Sequence, residues 1–245
     1  MKQSIPAAVA LLVAGLAVPM HDLSAQARDT PTGSRIEREY SSRELRQDRA
    51  GRFVDEFARC VYDRNRTEVP VLFAASDPAT IDYEELGLVN FDRFRSAFAM
   101  DRCMEDVVRL SPTGVVISTS PTSLRLMMME RAYLEAYPSP PNWLGQDVAV
   151  PERSYVSEGE ALASARGLAD FADCIVAAAP RESDALLRTP RRSEAENIAV
   201  QPIITHLGPC LAEGHTLGLE IENVRQFVAD GLWQRASAYA DGSDN

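Results

Sequence analysis

The stretch from Glu56 to Val61 reads EFARCV, and the stretch from Asp170 to Ile175 reads DFADCI. An acid, Phe, Ala, a charged residue, Cys and a β-branched apolar residue recur in one order. Self-similarity at a distance marks a structural unit written twice, so this recurrence constrains the fold more than any other feature. Both phrases sit in helical patterns. Phe53, Phe57, Cys60 and Val61 fall at i, i+4, i+7 and i+8, and Leu168, Phe171, Ile175 and Ala178 at i, i+3, i+7 and i+10. Each set therefore shares one helix face, with a cysteine at the inner edge of its phrase. A capping-box pair stands upstream of each, Ser41 with Glu44 and Ser157 with Glu160. In such a pair the serine accepts from a free backbone N–H while the glutamate reaches back.

The parallel continues downstream. VLFAASDP from Val71 answers ALLRTP from Ala185, and each closes an apolar piece at a proline, where a helix starts afresh. Ser193 and Glu196 make a further capping box. Cys103 and Cys210 follow, then VVIST from Val115 and TLGLEI from Thr216. Last comes LRLMMMERAYL from Leu124 against VRQFVADGLWQ from Val224, which matches Arg125 with Arg225, Glu130 with Asp230 and Tyr133 with Trp233. Ser120-Pro121 supplies an N-cap and a first helical residue.

The expected fold is mainly α: two tandem helical repeats, 42–137 and 157–239. Four cysteines in an exported chain imply disulfides, and they allow three connectivities. Duplication selects the pairing inside each unit, Cys60 with Cys103 and Cys174 with Cys210. Each unit then carries its own staple. VVIST and TLGLEI are too short to stand alone, and are expected to pair as two β-strands that link the repeats. Between the repeats, 138–156 holds four prolines and Gly145, an extended linker. Trp143 and Leu144 within it are expected to pack back onto the units, since large exposed apolar patches are uncommon. The segment 28–41 and the tail 240–245 read as flexible.

The N-terminus has Lys2, an apolar run from Ile5 to Met20, and a small-x-small end at Ala25-Gln26-Ala27. That is the pattern of a secretory signal peptide, 1–27. The run is shorter than the roughly 20 residues a spanning helix needs and carries Pro6 and Pro19. Cleavage after Ala27 is therefore favoured over retention as an anchor. Without 1–27, no other apolar stretch is long enough to span a bilayer. The net charge is −11, and Lys2 is the only lysine. An acidic chain argues against nucleic-acid binding, which draws on excess positive charge, and against docking on anionic lipid.

Motifs for chemistry are sparse. After residue 27 the only histidines are His206 and His215, and no G-x-S-x-G, S-x-x-K, H-E-x-x-H or GxGxxG occurs. No cofactor is expected. The stretch HLGPCLAEGH places His206, Cys210, Glu213 and His215 together, residue types that suit zinc. Oxidation of Cys210 removes one of them, and the first unit has no matching histidine, so surface histidines are the expectation. Met127, Met128 and Met129 point three ways on a helix and read as core filling rather than a Cu(I) site. The carboxylate runs at Asp82, Glu84 and Glu85, Glu105 and Asp106, and Glu220 and Glu222 read as solvated helix faces. Arg125 and Arg225 are the best ligand-binding candidates. Each either makes a structural ion pair inside its own unit, or faces a shared groove that holds an anion.

The order F-A-x-C, a proline-started second helix, a second Cys, then R-x-x-x-A/M-[DE]-x-x-[YW] resembles a group of uncharacterised exported helical two-cysteine proteins of Gram-negative bacteria. The resemblance covers both units. It implies a secreted helical module and assigns no activity, so no functional residue is carried over from it. The functional expectation is an exported, periplasmic or secreted, non-catalytic protein with a binding or envelope role and an envelope protein as partner. The alternatives are an envelope hydrolase using acidic residues and a metal or small-ligand carrier.

Overall fold

A computed structural model describes residues 49–109, 119–146, 153–211 and 220–243. Among them the chain is mainly α and forms no strand, only one isolated bridge between Ser76 and Ile81. Helix α1 runs through 49–64. There follow α2 (Val69–Ala74), α3 (Phe91–Ala97), α4 (Met100–Arg109), α5 (Pro121–Ala136), α6 (Gly159–Ala178), α7 (Pro180–Leu187), α8 (Glu194–Cys210) and α9 (Ile221–Ser243). No helix among the described residues is long and apolar enough to cross a membrane.

Local chemistry sets the helix ends. Ser120 accepts from the Ser123 N–H with Pro121 in the first turn, and Ser193 accepts from the Glu196 N–H. Pro180 opens α7, where its missing N–H has no helical partner to lose. Asn65 closes α1 by donating from Nδ2 to the Val61 carbonyl at 2.6 Å, and ties it to the α3–α4 corner through the Phe98 carbonyl at 3.0 Å.

The apolar stripe predicted for α1 is buried: Phe53, Phe57 and Val61 meet Leu72, Phe94 and Cys103 in a first core. The stripe of α6 places Phe171 and Ile175 in a second core with Leu186, Val200 and Val228. Helix α5 serves both. Leu124, Met127 and Met128 enter the first core, while Tyr133 belongs to the second. Trp143 packs into the second core as well, against Tyr133, Tyr137 and Tyr239. The methionines are therefore core residues that fill irregular space. Disulfides join Cys60 to Cys103 and Cys174 to Cys210, so α1 is tied to α4 and α6 to α8.

Helix α9 lies against both α5 and α6. Its approach to α6 depends on Gly231, where a Cβ would stand 2.6 Å from the Ala172 carbonyl oxygen. A backbone oxygen cannot swing aside. Gly231→Ala is expected to cost about 1–3 kcal/mol in urea unfolding, although Ala is the better helix former.

Several sequence expectations differ from the structure, among them the inner face of α6, where Ala178 is exposed. The capping box at Ser157 does not form: its N–H and hydroxyl both donate to the Asp77 carboxylate, and α6 starts after Glu158 with no side-chain cap. No helix starts at Pro190, since α8 begins at Glu194 behind its Ser193 cap, and none starts at Pro78. Asp77 accepts from the Ala79 and Thr80 N–H groups and folds the chain into a turn instead. The C-terminal residues to Ser243 continue α9, so helix extends past 239. Ser41, Glu44, VVIST up to Ser118, Glu213, His215 and the first four residues of TLGLEI fall outside the described residues. So do the signal segment 1–27 and the segment 28–41, and the expected β pairing falls with them.

Candidate functional site

The charged residues most suited to chemistry converge on the α5–α9 contact. Arg125 lies near the start of α5 and Arg225 near the start of α9. Arg125 is 2 % exposed, as is Arg225. Each arginine reaches the acid of the opposite helix: Arg125 Nη1 donates to Asp230 Oδ1 at 3.0 Å, and Arg225 Nη2 donates to Glu130 Oε1 at 2.7 Å. The helices therefore run antiparallel, and the two pairs are reciprocal. The sequence expectation was an ion pair within one unit. The structure makes ion pairs, but across the two helices, for a reason of spacing. Arg125 and Glu130 are five apart, as are Arg225 and Asp230, and only positions three or four apart face each other on a helix.

Each acid is shared with a second arginine. Asp230 Oδ2 accepts from Arg153 Nη1 at 2.5 Å, and Arg153 Nη2 donates to Asp173 on α6. Glu130 Oε2 accepts from Arg191 Nη2, and Arg191 Nε donates to Asp55 on α1 at 2.9 Å. The outer partners of the core arginines differ. Arg225 Nη1 also reaches Glu196 Oε1 at 2.8 Å, and its donors meet the Leu186 and Leu187 carbonyls that end α7. Among the described residues Arg125 has no second carboxylate in hydrogen-bond contact. Its Nε donates to the Ser76 hydroxyl at 2.9 Å, beyond the end of α2.

Electrostatics follow from this wiring. Burial pushes the Glu130 carboxyl up, but Arg191 and Arg225 beside it hold it below the ordinary carboxylate range. Arg225 is driven up: burial pulls it down, but Glu130 and Glu196 outweigh that. Arg125 moves the other way: burial pulls it down, Asp230 opposes this, and Arg153 adds to the decrease. Glu130 and Asp77 are both held low and contribute to stability with the same sign. A carboxyl held low in the folded state contributes stability that is complete above its unfolded pKa and lost as pH falls through its folded pKa. Asp55 and Asp173, raised by burial, contribute with the opposite sign. Urea unfolding of wild type and Glu130→Gln should therefore converge as pH falls below the ordinary carboxylate range, because protonation erases the difference.

The other candidates do not assemble into a site. All four cysteines are in disulfides, and Arg64 Nε donates to Cys60 Sγ at 3.4 Å. His206 is half-buried on α8 beside the Cys210 disulfide, whose sulfur is not free to ligate. Among the described residues no three His, Cys, Asp or Glu side chains are grouped to hold a metal ion. Glu105 and Asp106 are exposed, and Asp82 Oδ1 accepts from the Glu85 N–H at the surface.

Sequence reading did not single out Arg153, Arg191, Asp55 and Asp173 as partners. The only signal for them was a surplus of arginine in a chain with one lysine, since arginine is the residue suited to buried ion pairs. No protein-family model, curated protein or solved structure matches the chain.

Proposed function

We propose that this chain is an exported, non-catalytic helical protein built from two copies of one stapled unit, with a binding or envelope role. The observation that carries this reading is the reciprocal lock. The arginines and acids that could have served an active site face one another in the interior, and their charge is spent on holding α5 to α9. The cysteines are likewise spent on disulfides, as suits an oxidising compartment.

Further contacts support the duplication. Tyr133 of the first unit donates its hydroxyl to Asp184 on α7, while the matching Trp233 packs its ring edge against Phe73 on α2 at 5.4 Å. Each unit therefore inserts an aromatic residue beside the short helix of the other. Helices α2 and α7 hold the starts of the corresponding pieces, VLFA of VLFAASDP and ALL of ALLRTP.

The test is expression of the whole chain in a Gram-negative host, with intact mass of the periplasmic fraction. The expected species is Arg28–Asn245 less four hydrogens, with no thiol reactive to alkylation. A protein that stays in the cytosol, or that reaches the periplasm with free thiols, would contradict the reading.

A further inference from the structure

The two locks are not equivalent. Arg225 faces Glu130 and Glu196. Arg125 shares Asp230 with Arg153, and of the two only Arg153 has a further carboxylate among the described residues, Asp173. Beside Arg125 and Arg153 there is a cavity of about 150 Å³, walled by Ser76, Tyr155 and Gln234 among others. Its two guanidinium groups are deeply enclosed, with side chains 2 % and 7 % exposed. Arg153 Nε is buried and has no hydrogen-bond partner among the described residues, a state that costs free energy and that few native donors show.

Asp77 also lines the cavity, but unlike Asp230 and Asp173 it bonds neither arginine directly. Its carboxylate is already engaged. Oδ1 accepts from the Ala79 and Thr80 N–H groups and the Ser157 hydroxyl, and Oδ2 accepts from the Val156 and Ser157 N–H groups. It therefore contributes charge at a distance but no hydrogen bond to either arginine.

We propose that the cavity is a binding site for a small carboxylate anion, held by Arg125 and Arg153. The volume is well below the 300–1,000 Å³ or so of a drug-sized pocket, so the ligand has few heavy atoms. A carboxylate matches guanidinium geometry, and charge-assisted bonds of this kind are the strong ones. This gives the binding role proposed above a ligand class and rests on that role.

The experiment uses the whole exported protein with acetate as the probe, titrated against chloride at constant ionic strength. Melting temperature and the line width of carboxyl-labelled acetate in carbon-13 NMR are followed together. At acetate a hundredfold above its Kd, the melting temperature should rise by at least about 5 °C, with broadening of the acetate line. Gln234→Glu places a carboxylate in the cavity wall and should abolish both responses. If acetate acts as chloride does on wild type, or if Gln234→Glu responds like wild type, the anion site is overturned. Should that variant fail to fold, the wild-type titration decides alone. A protein that is exported and stapled, yet indifferent to acetate, overturns the site and leaves the exported module standing.

Discussion

Glu130→Gln is expected to destabilise the protein by about 3–5 kcal/mol, the cost of removing one partner from a buried ion pair. The change keeps the shape of the side chain and deletes the charge that two guanidinium groups share. Arg225 would retain Glu196, and Arg191 would retain Asp55, but both would remain enclosed beside an uncharged amide. For a chain of this size the melting temperature should fall by about 6–20 °C. Glu135→Gln is the internal control. Its partner Arg66 is 52 % exposed and Glu135 is 43 % exposed, and pairs of that kind are worth about 1 kcal/mol or less. Chemical denaturation of the two variants side by side checks the contrast. Comparable losses would mean that burial does not govern the lock.

Replacing Cys174 and Cys210 with alanine is expected to cost about 4 kcal/mol by loop-closure entropy. The disulfide closes a loop with a sequence separation of 36, and Cys60–Cys103 one of 43, so the two losses should be similar. Together they approach the 5–15 kcal/mol or so that a domain has in total. The expected outcome is a folded but weakened protein for either pair alone, and a largely unfolded one when both pairs are replaced. Circular dichroism in increasing urea reads this directly. Full stability after replacement of both pairs would remove the disulfides from the account of the fold.

Helix existence and the buried faces were legible because the phrases around Cys60 and Cys174 have a helical period. The period survives whatever the tertiary partners are. The Ser120 and Ser193 caps were legible for the same reason, since a cap is satisfied within four residues. Ser157 shows the limit of this reasoning. Its pattern is that of a cap, but Asp77, remote in sequence, holds its N–H and hydroxyl. Local propensity had no means of detecting that competitor.

The lock was half legible. Matching the repeats singled out Arg125, Arg225, Glu130 and Asp230. The spacing of five already ruled out pairing along one helix, yet which helix lies opposite is a question of packing. Arg153 and Arg191 come from the linker and from the turn between α7 and α8, where no periodicity marks a residue as buried. The difference between the two locks was illegible for the same reason. It depends on Glu196 reaching Arg225 while Asp77 is occupied elsewhere.

The most direct test is to insert a protease site between Gln146 and Arg153 and cut the folded protein there. If reciprocal arginine–carboxylate pairs hold the two units together, the nicked protein will elute as one species of unchanged size with both disulfides intact. In the Glu130→Gln background it will come apart at lower denaturant than nicked wild type. Two separately folded pieces that part at neutral pH without denaturant would contradict the lock.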